Sequence, residues 1–108
     1  MMFLRILSGK KDTVNSVAEL LLKEKLAINI NIKGEIDRVE LVNDIVVKKP
    51  MYLLTAKTKA LLFPVISQRI KEIIPKESPE IYSMPIIHMD WEQMKHLDEN
   101  TVSPDYKK

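Results

Sequence analysis

The chain has no cysteine among its 108 residues. That excludes disulfides, thiolate metal ligands and cysteine nucleophiles. Glycine occurs only at Gly9 and Gly34, so no glycine-rich loop is available to cradle phosphates. Histidine is limited to His88 and His96, and neither belongs to a serine-containing motif of the kind that builds a nucleophile–base pair. The chain is therefore not expected to be an enzyme. Aromatic residues make up 6% of the sequence. Reading RNA on a sheet needs exposed aromatics on the central strands, and only Tyr52 and Tyr82 are offered.

Charge shows no excess of one sign: 17 basic residues face 15 acidic ones, for a net +2. A nucleic-acid partner would call for a clustered basic face. No apolar run approaches the roughly 20 residues of a spanning helix. The N-terminal stretch lacks the basic region, long apolar core and small-residue cleavage site of a signal peptide. The expectation is a soluble, cytoplasmic protein with neither nucleic-acid nor membrane partners.

What is present is ordinary globular composition, 45% hydrophobic and 30% charged, at the length of one domain. Met2 to Ser8 reads as a buried first strand. Asp12 stands as a helix N-cap, with Val14, Val17, Ala18 and Leu21 tracing an apolar stripe to about Lys25. The period then changes to two: Ile28, Ile30 and Ile32 alternate with Asn29 and Asn31, a strand with one polar face. Gly34 permits a bend or bulge, and Asp37 to Val42 continue extended. Asn43-Asp44 is a hairpin turn leading into Ile45-Val46-Val47. Lys48-Lys49-Pro50 predicts a bulge or an edge, since proline cannot donate to a ladder, and Met51 to Ala56 resume the strand.

Leu62, Val65, Ile66, Arg69, Ile70 and Ile73 trace a second amphipathic helix, which must begin just upstream of Pro64 and end before Pro75. Glu80 to Met89 reads as a last core strand. Asp90-Trp91-Glu92-Gln93 has the form of a capping box opening a short helix that ends near Asn100. The order strand, helix, long hairpin, helix, strand, helix predicts an α+β, ferredoxin-like βαββαβ domain: an antiparallel sheet with two helices packed on one face and a short C-terminal helix. One domain spans residues 1–102, with a loose tail over 103–108.

Several short segments carry a family resemblance. They are Leu20-Leu21-Leu22-Lys23-Glu24-Lys25-Leu26-Ala27 followed by Asn31-Ile32, then Lys57-Thr58, then Pro75-Lys76-Glu77-Ser78-Pro79-Glu80-Ile81, with Pro85 and Glu99-Asn100-Thr101 at matching spacing. In this order, over nearly the whole chain, they resemble the CutA divalent-cation-tolerance family, of PII-like superfamily architecture. The departures fall on site residues. Asn29 stands where the family has a cysteine, Ile74 where it has a histidine, and Lys76 where it has a tyrosine. Leu41 and Asn43 replace a tryptophan-x-glycine, Met89 a glycine, and Gln93 and His96 a tyrosine and a tryptophan. The resemblance implies a non-enzymatic homotrimer with packed sheets, its long hairpin reaching a neighbour, binding a metal ion or small ligand at subunit clefts. The alternative is a PII-like regulatory module that binds an anionic metabolite or nucleotide and signals to a protein partner. A third reading is a purely structural trimer.

For a divalent metal such as copper or zinc, the candidate ligands are His88, Glu92 and His96. Glu92 and His96 lie four apart on one helical face. The alternative is that both histidines are surface residues, with Met89 and Met94 filling gaps. Asn29 and Asn31 are read as amides pointing the same way from one strand, into an intersubunit cleft or onto a solvated face. Glu77 and Glu80 flank Pro79 at a helix-to-strand corner, to coordinate a cation or to hold Lys57 in an ion pair.

Overall fold

A computed structural model describes residues 1–103; from residue 104 onward the predicted tail lies outside the described residues. The elements are β1 (Met2–Ser8), α1 (Lys11–Lys23), β2 (Ile28–Val42), β3 (Ile45–Thr58), α2 (Phe63–Ile73), β4 (Glu80–Pro85) and α3 (Trp91–Asn100), with a 3-10 turn at Ala60–Leu62 leading into α2. The four strands form one antiparallel sheet in the order β2-β3-β1-β4. The α+β, βαββαβ arrangement with a third helix is thus as predicted.

Burial follows the two periods. Leu4 and Ile6 of β1 and Leu54 and Ala56 of β3 point to one face and are fully buried beneath Val14, Val17 and Leu21 of α1 and Ile66 and Ile70 of α2. Each such Leu or Ile contributes about 1.5–3 kcal/mol by leaving water. Thr58 is equally buried and donates its hydroxyl to the Leu26 carbonyl at 2.6 Å. The two helices are tied by Arg69, whose Nε and Nη2 bind both carboxylate oxygens of Glu24 at 2.9 and 2.6 Å. That planar two-point match suits arginine rather than lysine.

The helices cover only the base of the sheet. At β2's outer end and β3's start the hairpin runs on alone, and the molecule is 48 Å along its longest axis, close to the reach of a 15-residue strand such as β2. Its tip is the predicted two-residue turn. Asn43 and Asp44 both adopt left-handed backbone, φ 50° and 64°, which matches the strand twist. Among the described residues, no helix is long and apolar enough to cross a membrane.

Local chemistry departs from the sequence reading in three places. Helix α1 begins at Lys11, so Asp12 lies in its first turn, and Lys10 occupies the cap position without a side-chain cap bond. Strand β3 runs without interruption through Pro50. The last β1–β3 pair is Ser8 with Tyr52, so Pro50 has a neighbour only on the β2 side, opposite Asp37, which is the edge position, one of the two alternatives expected for it. The bend or bulge expected at Gly34 is present, as a register shift between Gly34 and Ile36. The Tyr52 ring lies beside Gly34 there, and any Cβ at that position would collide with it. Finally, β4 stops at Pro85 and is an edge strand rather than a core one. It is followed by Ile86–Asp90, with Ile86 N–H bonded to the Met1 carbonyl at 3.0 Å.

Candidate functional site

The predicted site residues do not converge. They divide between a corner beside the start of α1, the face of the sheet turned away from the helices, and helix α3.

At the corner, the loop from α2 to β4 meets the β1–α1 junction. Leu7, Ser8, Gly9, Lys10, Met51 and the segment Glu77–Glu80 line a recess of about 300 Å³. Glu77 accepts from the Thr13 hydroxyl of α1 and pairs with Lys10 Nζ at 3.0 Å. The Thr13 bond first, and Lys10 second, hold its carboxyl below the usual range. Glu80 takes Nη1 and Nη2 of Arg38, the latter at 3.1 Å, and this pairing lowers its pKa and raises that of Arg38. The prediction of structural ion pairs for the two glutamates is thus right in kind but wrong in partner. Lys57 lies on β3, opposite Phe3 and Ile28, while the partners are Lys10 and Arg38. Both lie far off in sequence, which hides them from local pattern.

Asn29 and Asn31 are exposed, but they are not two equivalent positions on a regular strand. The register slips by one residue between Ile28 and Asn31, and Asn29 takes left-handed backbone, φ 53°. A bulge of this kind breaks the period-two alternation. The Asn31 amide turns back onto the Asn29 carbonyl at 3.3 Å. Asparagine tolerates this backbone conformation, and that is the only hint the sequence carries.

On α3, Asp90 caps the helix as predicted, its carboxylate accepting from Glu92 N–H at 3.2 Å. Glu92 and His96 are exposed one turn apart, and His88 is exposed in the segment before the helix. His96 Nδ1 lies 3.0 Å from the Asn100 amide nitrogen, which also donates to the His96 carbonyl at 2.8 Å. Among the described residues, no group of three or more His, Asp or Glu side chains is placed to hold a metal. The predicted trio of His88, Glu92 and His96 is therefore not assembled within one chain. The helix does border a second recess of about 290 Å³, lined by Met1, Lys59, Trp91, Met94, Lys95, Leu97 and Asp98.

Comparison with known proteins gives a consistent answer. The divalent-cation tolerance protein CutA of Thermus thermophilus is 31% identical over 91 residues, covering 84% of this chain and 88% of that protein. The solved structure of Cut A1 from the same organism superimposes with a TM-score of 0.81 at 29% identity, over 94% of this chain and 100% of that one. CutA1 structures from Pyrococcus horikoshii (20% identity, TM-score 0.82, 95% and 100% covered) and Oryza sativa (23%, 0.81, 94% and 93%) share the fold. Residues 3–100 match the family described as CutA1 divalent ion tolerance protein. The chain belongs to that family of non-enzymatic cation-tolerance proteins.

Proposed function

We propose that the protein acts as a homotrimer that binds a divalent cation or another small ligand at the clefts between its subunits. The observation that carries this reading is the outer hairpin. Leu41 is 67% exposed, Ile45 64% and Val46 67%, although these are residues that ordinarily leave water. A hairpin this long with an apolar tip, unsupported by helices and open along its edges, is the kind of surface that association with identical copies covers. A metal would have to draw ligands from more than one chain, because a single chain does not gather three donors among the described residues. His88, Glu92 and His96 are the side chains this subunit would bring. Leu41→Asp places a charge on the ribbon and is expected to yield monomer or aggregate by sedimentation velocity. An unchanged trimer in that variant would refute the role given to the hairpin.

A further inference from the structure

Residues 36–50 include none that is buried. Over this stretch β2 pairs only with β3, and β3 up to Met51 pairs only with β2. The outer hairpin is thus a two-stranded arm without a core of its own, and such hairpins are marginal in isolation. The direction in which it leaves the sheet is set where it joins the body.

That junction is a single row. Ser8, the last residue of β1, pairs with Tyr52, and Tyr52 pairs on its other side with Gly34. Just beyond the row the ladder slips: Glu35 is left unpaired in it, and Ile36 faces Met51. A bulge bends and twists the strand that carries it. Tyr52 spans the break. Its ring packs against the core beneath the helices and fills the space that a Cβ at position 34 would need. Its hydroxyl donates to the Glu35 carboxylate at 3.3 Å. One side chain therefore touches the core, the bulge and the start of the arm. Arg38 adds a second tie, to Glu80 at the start of β4, but both side chains are partly exposed, and ion pairs in water contribute little.

We propose that Tyr52 and Gly34 form a lock that fixes the direction of the hairpin arm, so that its apolar tip meets a second copy of the chain at one angle. The tip carries exposed Leu41, Ile45 and Val46. An arm held in its bound direction loses less freedom on association than one that sweeps through many. The inference deepens the assembly reading and rests on it for the partner, while the lock itself lies within one chain.

The test is amide exchange of the full chain read by mass spectrometry, with sedimentation velocity on the same samples. Tyr52→Ala should exchange residues 36–49 about tenfold or more faster than the parent, the local effect of losing a packed aromatic ring. Residues 2–8 and 53–58 should be unchanged. Tyr52→Phe keeps the ring and should match the parent. Gly34→Ala displaces the ring and should free the same residues as Tyr52→Ala. Combining the two should add nothing further, because both act on one contact. Acceleration spread evenly over the chain, additive effects in the double variant, or Tyr52→Phe behaving as Tyr52→Ala overturns the lock. A trimeric parent whose arm exchange is unmoved by either alanine variant refutes the lock and leaves the assembly standing. A parent that sediments as a monomer refutes the assembly, and with it the presentation of the tip to a second copy, whatever the exchange shows.

Discussion

Lys59, one residue past the end of β3, holds the carbonyl of Val102, just beyond α3, at 3.0 Å. The same ammonium reaches the Thr101 carbonyl at 3.3 Å and the Asp98 carboxylate at 3.5 Å. A cation at a helix C-terminus satisfies carbonyls that lack intrahelical partners and complements the helix dipole. The Lys59 side chain is only 16% exposed, so these bonds are largely sheltered. With Val102 N–H bonded to the Lys25 carbonyl at 2.8 Å, it fixes the end of α3 to the sheet.

Lys59→Met keeps the stem and removes the donors. It should destabilise the fold by about 2 kcal/mol, the range for a hydrogen bond to a charged group. Amide exchange should accelerate first over residues 91–102, ahead of β1 and α1. Uniform acceleration, or none, would show that Lys59 does not anchor the helix.

Acid should loosen the corner at Glu77. Its folded pKa lies below the unfolded value, chiefly because Thr13 and then Lys10 favour the carboxylate. Its contribution is therefore complete above the unfolded value of about 4.3 and is lost as pH falls through the depressed folded value. Glu80 behaves the same way through Arg38. Melting temperature followed from pH 7 to pH 3 should fall below about pH 4.3, and Glu77→Gln should show a shallower acid decline from a lower starting point. An identical slope in that variant would place the acid sensitivity elsewhere.

If α3 contributes to a shared metal site, His88→Ala and His96→Ala should each weaken zinc or copper retention by the assembled protein by about tenfold or more, the loss of a first ligand being at least as costly as that of an outer-shell partner. Circular dichroism should be unchanged, since both side chains are exposed. Unaltered affinity would remove both histidines from the site.

Much of the fold is legible in the sequence, because local periodicity and burial agree. The 3.6-residue stripe of Val14, Val17 and Leu21 and the turn residues Asn43 and Asp44 behave as their chemistry dictates. Errors arise where tertiary context decides. Asn29 is polar and alternates with isoleucines, yet a one-residue slip against β3 removes it from the regular face. Ile86 to Met89 are apolar enough to extend β4, but the strand ends at Pro85, where its β1 partner is already Met2. The site is the least legible part. Glu77 meets Thr13 across 64 residues and Glu80 meets Arg38 across 42, and no sequence spacing encodes such pairs.

The central claim, an assembly of three chains that holds its ligand between subunits, is tested most directly by native mass spectrometry of untagged protein titrated with copper and zinc. The account predicts a species of three chain masses that retains metal in a fixed ratio to its clefts. A monomer at all concentrations would contradict the assembly, and a trimer that retains neither metal would contradict the cation-binding half of the account.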